Sequence, residues 1–416
     1  MSALPRLLVI MGSGETSPTM VQTHREVFSR VGDAPAVIFD TPHGFQENAD
    51  DIAARAVDYF AQSVGHRVDV LNFRHTSSTG SVEHETMLSR LRQACWVFAG
   101  PGSPSYALRV WKGSPVPDLL AGKLQHGGAV VFASAAALTL GRFSVPVYEI
   151  YKVGEDPQWL EGLDLTAMAG LNAAVIPHYN NAEGGGHDTR YCYLGERRLR
   201  VLEQQLPDET FVLGVDEHTA CVIDLDEGTA SVAGLGVVTS RHRGRQRTYA
   251  AGAVVGLDEL SAGEAAAAES GAPNGGGSPD RGEATAARSP LRSDVSRLES
   301  DFDQAIGSRQ SSGAVGAILD LDQLLVDWSR DTLQSDDLDN ARSALRSLVV
   351  RLGEAADAGL RDPREAVAPY VDALVDLRRR LREESRYEMA DEIRERLVSL
   401  GLEVKDSPEG TEWSLP

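Results

Sequence analysis

The first 256 residues alternate short apolar runs with helical patterns, and this alternation restricts the fold more than any other feature of the chain. The runs that are typical of buried strands lie at residues 7–11, 36–39, 68–71, 96–99, 129–132 and 174–176. Near-continuous apolar strands separated by helices indicate a mostly parallel sheet covered by helices on both faces. The sequence therefore predicts an α/β domain. Further β-rich stretches follow at residues 211–215, 221–225 and 237–240.

The composition changes after this region. Residues 257–295 are rich in Ala, Gly, Ser and Pro and hold almost no large apolar side chain, so they cannot form a core. Beyond them, apolar residues such as Val315, Ile318 and Leu319 recur at helical spacing, which indicates a helical bundle. We therefore predict an α/β domain over 1–256, a disordered linker over 257–295 and a separate helical domain over 296–416.

Charge and cysteine content narrow the functional classes. The formal net charge of -21 disfavours general binding to nucleic acid, because phosphate contacts need clustered Lys and Arg. Three cysteines are too few for a disulfide framework, and their spacing fits no zinc site. With neither a signal-peptide pattern nor an apolar run of about 18 residues, we expect a cytoplasmic protein without a membrane partner. We also expect no metal or cofactor, since Gly12–Thr16 lacks the lysine of a phosphate-binding loop.

Ser134 is the candidate nucleophile. It lies where the apolar run 129–132 leads into Ala135 and further small residues that suit a helix. A sharp turn from strand to helix lifts a side chain above the sheet and leaves free N–H groups, such as that of Ala135, to bind an oxyanion. Serine is also a favoured helix N-cap, which needs no catalytic role.

Other loops at strand ends could complete a catalytic site. Gly102 lies in a glycine-rich loop whose backbone could supply a second oxyanion donor, although the loop could also be an ordinary turn. His178 follows the run 174–176 and could act as the base, although an isolated histidine is often structural. Glu149 could orient the imidazole, and Asp156 is the weaker candidate. Arg190 could bind a substrate carboxylate through two parallel hydrogen bonds.

These pieces resemble cyanophycinase and aspartyl dipeptidase, which are serine peptidases with a class I glutamine amidotransferase-like fold. The resemblance spans residues 5 to about 240. Its motifs are Gly12-Ser13-Gly14-Glu15, Gly100-Pro101-Gly102, the turn at Ser134, Pro177-His178-Tyr179 and Gly214-Val215-Asp216-Glu217-His218-Thr219-Ala220. The resemblance implies that Ser134 is the nucleophile, His178 the base and Glu149 the orienting acid, with Gly102 and Ala135 as oxyanion donors. The implied substrate is a small peptide or an amino-acid conjugate.

The turn at Ser134 departs from the family pattern. The family has Gly-x-Ser-Ala-Gly at this turn, whereas this chain has Phe132 and Ala136 in place of the two glycines. Glycine relieves crowding in a strained turn, so the Phe132 side chain weighs against catalysis without affecting the expected fold.

The C-terminal domain resembles the end of bacterial cysteinyl-tRNA synthetase. The resemblance lies in Tyr387–Arg394 and in the stretch from Gly401 to Trp413, which includes Asp406-Ser407-Pro408 and Gly410-Thr411. In the synthetase this region helps to grip the anticodon end of tRNA. The HIGH and KMSKS signatures of a synthetase catalytic half are missing, so we do not expect a complete aminoacyl-tRNA synthetase. The basic run Arg378–Arg382 could contact tRNA, but such a run is usually a solvated helix face.

Two functional hypotheses follow from these observations. The first is a serine peptidase or amidase that uses a Ser-His-Glu triad on a peptide or amino-acid amide. The second is a catalytically inactive amidotransferase-like domain fused to a helical module that binds tRNA or protein.

Overall fold

The computed structural model describes residues 4–76, 80–182, 187–262, 289–331, 337–357, 363–407 and 410–415. The chain forms two compact units. Unit 1 comprises Met1–Arg288 and Val326–Ser335, and unit 2 comprises Ser289–Leu325 and Asp336–Pro416. A single boundary near residue 296, as predicted, therefore does not separate the two units, because Val326–Ser335 belongs to unit 1.

The strands of the described chain are numbered in order. Their bounds are β1 (Arg6–Met11), β2 (Ala36–Phe39), β3 (Asp69–Leu71), β4 (Trp96–Ala99), β5 (Gly128–Ala133), β6 (Phe143–Ser144), β7 (Leu160–Glu161), β8 (Ala173–Ile176), β9 (Phe211–Val215), β10 (Thr219–Asp224), β11 (Thr229–Gly234), β12 (Val237–His242), β13 (Arg245–Ala250), β14 (Val254–Gly256), β15 (Glu403–Ser407) and β16 (Gly410–Ser414).

The helices are numbered in the same way. Their bounds are α1 (Val21–Val31), α2 (Ala49–Tyr59), α3 (Val82–Gln93), α4 (Pro104–Trp111), α5 (Val116–His126), α6 (Ser134–Ala137), α7 (Gly195–Gln205), α8 (Leu257–Ala262), α9 (Pro290–Gly307), α10 (Ser311–Trp328), α11 (Asp337–Asp357), α12 (Pro363–Glu383) and α13 (Tyr387–Ser399). Short 3-10 or π turns lie at Pro18–Met20, Thr41–His43, Phe60–Val64, Glu149–Val153 and Leu165–Ala169.

Unit 1 is built on an eight-stranded sheet in the order β14-β11-β10-β1-β5-β4-β2-β3. Strands β1, β5, β4, β2 and β3 run parallel to one another, whereas β10, β11 and β14 each pair with their neighbours in antiparallel orientation. Both faces are buried: Leu8 and Phe132 belong to one apolar cluster with residues of α3, α4 and α5, and Val9 and Ala133 belong to another with residues of α1 and α2. The predicted α/β class, a mostly parallel sheet with helices on both faces, is confirmed.

A second sheet departs from the sequence prediction. The run 174–176 forms β8, which we expected in the main parallel set, but it lies in a four-stranded sheet of order β13-β12-β9-β8. There β8 runs parallel to β9, with Val175 opposite Leu213. Strand pairing is non-local, so an apolar run by itself does not show which sheet it joins.

Both ends of the predicted linker, residues 257–295, are helical in the described chain. Its first residues form α8, where Leu260 is 1% exposed and the Glu259 carbonyl accepts a hydrogen bond from Tyr249 Oη. Its last residues form the start of α9, whose N-cap is the Ser289 side chain. Residues 263–288, the centre of the predicted linker, lie outside the described residues.

Unit 2 is helical, as predicted, with two apolar clusters. Leu298, Phe302, Leu321 and Leu348 form one cluster from α9, α10 and α11. The other joins α12, α13 and the hairpin β15–β16, in which Val404 pairs with Trp413. The hairpin lies in the stretch from Gly401 that carries the C-terminal resemblance.

The basic run on α12 is not a uniformly solvated face. Arg378 is 1% exposed, and its guanidinium donates a hydrogen bond to Thr411 Oγ1 at 3.1 Å. Arg379 is exposed and pairs with Asp376. Part of the predicted solvated face therefore has a structural role, because Arg378 joins α12 to the terminal hairpin.

Within the described ranges, no helix has both the length and the apolar character needed to cross a membrane.

Candidate active site

Ser134 lies at a strained turn between β5 and α6. Ala133 is still extended, and Ser134 itself has φ 49°, a left-handed conformation that is uncommon for a residue with a side chain. Strain of this kind persists only where the surrounding structure enforces it, and it is concentrated at functional sites. The predicted turn from strand to helix is thus present at this serine.

Phe132 does not obstruct this turn. Its side chain is fully buried on one face of β5 and packs 5.5 Å from the Trp111 ring, measured between ring centres. The ring belongs to the apolar core on that face of the sheet, and Ser134 Oγ still lies within hydrogen-bond distance of His178 Nε2. Ala136 is also fully buried, and its N–H donates to the Gly100 carbonyl at 3.2 Å. The departures from the family pattern are accommodated by core packing.

A chain of hydrogen bonds connects Ser134, His178 and Glu217. Ser134 Oγ lies 2.9 Å from His178 Nε2, and His178 Nδ1 lies 2.8 Å from Glu217 Oε1. If Nδ1–H donates to the carboxylate, Nε2 is left as the acceptor for the serine hydroxyl. This is the arrangement of nucleophile, base and orienting acid that activates a serine.

The loop after β8 holds the imidazole in place. His178 has φ 48°, and its carbonyl accepts hydrogen bonds from the N–H groups of Asn181 and Cys192. Cys192 is the middle one of three consecutive residues with positive φ, flanked by Tyr191 and Tyr193. Two tightly turned segments therefore meet at the backbone of the histidine.

Glu217, and not Glu149, accepts the hydrogen bond from the imidazole. Glu217 lies in the tight turn between β9 and β10, and its N–H donates to Asn180 Oδ1 at 2.8 Å, which fixes the turn beside His178. Glu149 lies in a π turn, where its Oε2 is buried with no hydrogen-bond partner in the described chain. Asp156 is an exposed loop residue. The prediction of Glu149 as the orienting acid is therefore corrected.

The sequence did contain a signal for Glu217. This residue lies within the string Gly214 to Ala220, which is among the more specific motifs of the N-terminal resemblance. Chain order favoured Glu149, because it lies between the serine and the histidine. The fold instead places the next strand of the second sheet, and the turn that follows it, beside His178.

The loop after β4 lies beside the Ser134 turn. Gly102 has φ 144°, and a Cβ built there would lie 1.9 Å from the Pro42 carbonyl oxygen, so only glycine fits. Gly100 is tied to the turn by the hydrogen bond from Ala136. Ala135 lies in the first turn of α6, where an N–H has no acceptor within its own helix. Gly102 and Ala135 thus remain the candidate oxyanion donors.

Arg190 is already paired. Its guanidinium makes two hydrogen bonds of 2.9 Å to the Asp188 carboxylate and lies over the Tyr191 ring. The hydrogen bonds from Arg190 hold the pKa of Asp188 well below its usual range. The predicted role of Arg190 in binding a substrate carboxylate would require displacement of Asp188, so the structure does not favour it.

The fold of unit 1 is similar to that of a solved structure. A peptidase from an acI-B1 Actinobacterium superposes with a TM-score of 0.51 at 19% sequence identity, and the match covers 61% of this chain and 98% of that protein. At this identity the similarity establishes a common fold.

The C-terminal resemblance is confirmed by sequence comparison. Residues 364–413 match the cysteinyl-tRNA ligase anticodon binding domain family. The cysteine–tRNA ligase of Carboxydothermus hydrogenoformans is 39% identical over 49 residues, which are 12% of this chain and 10% of that ligase. The ligase of Petrotoga mobilis is 46% identical over 44 residues, which are 11% of this chain and 9% of the ligase. The chain therefore shares only about a tenth of each ligase's length.

Proposed function

We propose that unit 1 is a serine hydrolase that cleaves an amide bond in a peptide or an amino-acid conjugate. The observation that carries the proposal is the continuous hydrogen-bond chain from Ser134 through His178 to Glu217. The similarity in fold to a peptidase adds support for the choice of an amide substrate.

The mechanism uses all three side chains in both half-reactions. His178 Nε2 takes the proton of Ser134 as the hydroxyl oxygen attacks the carbonyl carbon, and Glu217 stabilises the imidazolium that forms. The tetrahedral oxyanion accepts hydrogen bonds from the N–H groups of Gly102 and Ala135. The imidazolium then protonates the leaving amine, and an acyl-serine ester remains. Water, deprotonated by His178, attacks the carbonyl carbon of this ester. The imidazolium then returns the proton to Ser134 Oγ as the carboxylic acid product is released, which regenerates the serine.

A fluorophosphonate probe tests the nucleophile without knowledge of the substrate, because it reacts with an activated serine. We expect covalent labelling of Ser134 in the folded full-length chain, located by peptide mass spectrometry, and no labelling of Ser134→Ala. Ser144→Ala is the matched control, since Ser144 is also fully buried in unit 1 but lies in β6. Labelling that is absent from the wild-type protein would favour the alternative of a catalytically inactive amidotransferase-like domain.

The second candidate function belongs to unit 2, and the family match over 364–413 favours it. We infer that this segment contributes to tRNA binding through exposed arginines of α12 such as Arg379, Arg380 and Arg382. We expect the affinity of the full chain for tRNA to fall as the salt concentration rises. Replacing these three residues by Ala should remove up to about 3 phosphate contacts, so the plot of log affinity against log salt concentration should become less steep. Arg297→Ala, in the exposed part of α9, is the matched control. An affinity that is equal for tRNA and for unrelated RNA would exclude this function.

A further inference from the structure

Glu15 is a buried acid in the turn that follows β1. Glu15 is only 2% exposed, and its Oε2 has no hydrogen-bond partner in the described chain. The backbone carbonyl of Glu15 is held by His24 Nε2 at 2.7 Å, so the residue is fixed in position. An ionised carboxylate is costly to bury without a partner, so the unpaired Oε2 makes ionisation of Glu15 unfavourable unless a donor or a cation binds there.

The Glu15 carboxyl lies beside the glycine loop of the candidate active site. A Cβ built on Gly100 would lie 3.1 Å from Glu15 Oε1, and Gly100 is the residue whose carbonyl binds the Ser134 turn through Ala136. The glycine loop thus connects the carboxyl to the Ser134 turn.

A segment from beyond the α/β domain adds a second acid at this place. The last turn of α10 and the residues after it belong to unit 1, where the Trp328 ring packs 5.7 Å from the His218 ring. Asp331 is 5% exposed, and its Oδ1 accepts a hydrogen bond from Thr16 Oγ1 at 3.1 Å. Thr16 is the neighbour of Glu15, so two carboxyl groups from distant parts of the chain meet beside the same turn.

We propose that Glu15, assisted by the negative charge of Asp331, binds a positively charged group of the substrate, such as the free amine of an amino acid or short peptide. This inference rests on the proposed hydrolase function and names its substrate class. A primary ammonium supplies the hydrogen-bond donors that Glu15 Oε2 lacks, and its charge offsets that of the two acids. Neutral amides of the same size offer no such compensation and should be disfavoured.

The protonation of Glu15 fits this role. Burial raises its pKa to about 7, with a further contribution from Asp331, while its own backbone N–H and the charge of His178 act in the opposite direction. Tyr59, which also lies within the field of Glu15 and Asp331, has its pKa raised by burial and remains neutral. Glu15 therefore ionises near neutral pH, and binding of a cation should pull that ionisation to lower pH.

Two fluorophosphonates of equal length test the inference on the full-length chain. One carries a 2-aminoethyl group, which ends in an ammonium, and the other carries a propyl group, which ends in a methyl. We expect the ammonium probe to label Ser134 at least about tenfold faster than the propyl probe, as a charge-assisted hydrogen bond would give. Because both probes report the same serine, their rate ratio cancels the contribution of His178.

Substitutions locate the source of this preference. Glu15→Gln should bring the rate ratio close to one while the propyl probe still reacts, and Asp331→Asn should reduce the ratio in part. Glu149→Gln is the matched control, because Glu149 also has a buried carboxyl oxygen without a partner but lies in a different turn; it should leave the ratio unchanged. If Glu15→Gln does not fold, the wild-type protein still provides the test: the ratio should rise between pH 6 and pH 8 as Glu15 ionises.

The outcomes separate the two proposals. Equal labelling of Ser134 by both probes, or a preference that survives Glu15→Gln, would overturn the assignment of Glu15 and leave the hydrolase proposal intact. Labelling by neither probe would overturn the nucleophile, and the substrate class would fall with it.

Discussion

His178 Nδ1 lies 2.8 Å from Glu217 Oε1, although Glu217 comes 39 residues later and in a different strand connection. The contact joins the loop after β8 to the turn after β9, and these two strands are parallel neighbours in the second sheet. Since the carboxyl ends of parallel strands meet at one edge, the second sheet itself brings the Glu217 carboxylate to the His178 imidazole.

Glu217→Gln is expected to lower kcat/KM by about two to four orders of magnitude, because an amide can no longer stabilise the imidazolium and can favour the wrong tautomer of His178. Glu149→Gln should have little effect, since Glu149 makes no hydrogen bond to the imidazole in the described chain. The rate of fluorophosphonate labelling of Ser134 measures both variants without a known substrate. The reverse order of effects would restore Glu149 as the orienting acid.

Phe132→Gly would introduce the glycine of the cyanophycinase and aspartyl dipeptidase pattern at this turn, but we expect a loss of stability and reactivity rather than a gain. The Phe132 ring is fully buried against Trp111, so its removal leaves a cavity and should cost about 3–5 kcal/mol of unfolding free energy. Phe132→Leu, which keeps most of the volume, should cost less. Urea denaturation of both variants provides the comparison. A more stable or more reactive Phe132→Gly protein would show that the ring does crowd the serine.

The sequence predicted those parts of the fold that depend on local pattern. The buried strands from β1 to β5 could be located because each is a continuous apolar run flanked by helical patterns, and Ser134 and His178 could be identified because they follow such runs. Glu217 was assigned no role, because its approach to His178 depends on which strands pair. Asp331 could not be placed beside Thr16 either, since 315 residues separate them and no periodicity reports such a contact.

Gly102→Ala should destabilise the loop that lies beside the Ser134 turn. The added Cβ would lie 1.9 Å from the Pro42 carbonyl oxygen, and the φ of 144° is unfavourable for alanine. We expect a cost of about 1–3 kcal/mol and slower labelling of Ser134, because the backbone must move. Gly113→Ala is the control: Gly113 is exposed, and a Cβ there meets nothing within 4 Å. Equal thermal midpoints for the two variants would contradict the tight packing at Gly102.

His24 should make unit 1 less stable in mild acid. Burial among aromatic side chains lowers the pKa of His24 from 6.5 to about 4, and the hydrogen bond to the Glu15 carbonyl offsets only part of that effect. The unfolded chain therefore takes up a proton at higher pH than the folded chain. The contribution of His24 to the free energy of unfolding is fully present above pH 6.5. It is lost as the pH falls toward 4, by roughly 3 kcal/mol in total.

Glu15 has the opposite effect on stability as the pH falls, so the contribution of His24 must be measured by comparing variants. The pKa of Glu15 is raised by burial from 4.5 to about 7, which means that the folded state gains stability from Glu15 as the pH falls through this range. His24→Phe keeps an aromatic ring that cannot titrate, and the exposed His126→Gln serves as the control. Urea denaturation between pH 7.5 and pH 4.5 should show a smaller loss of unfolding free energy for His24→Phe than for the wild-type or control protein. Parallel curves for all three proteins would mean that His24 is protonated equally in the folded and unfolded states.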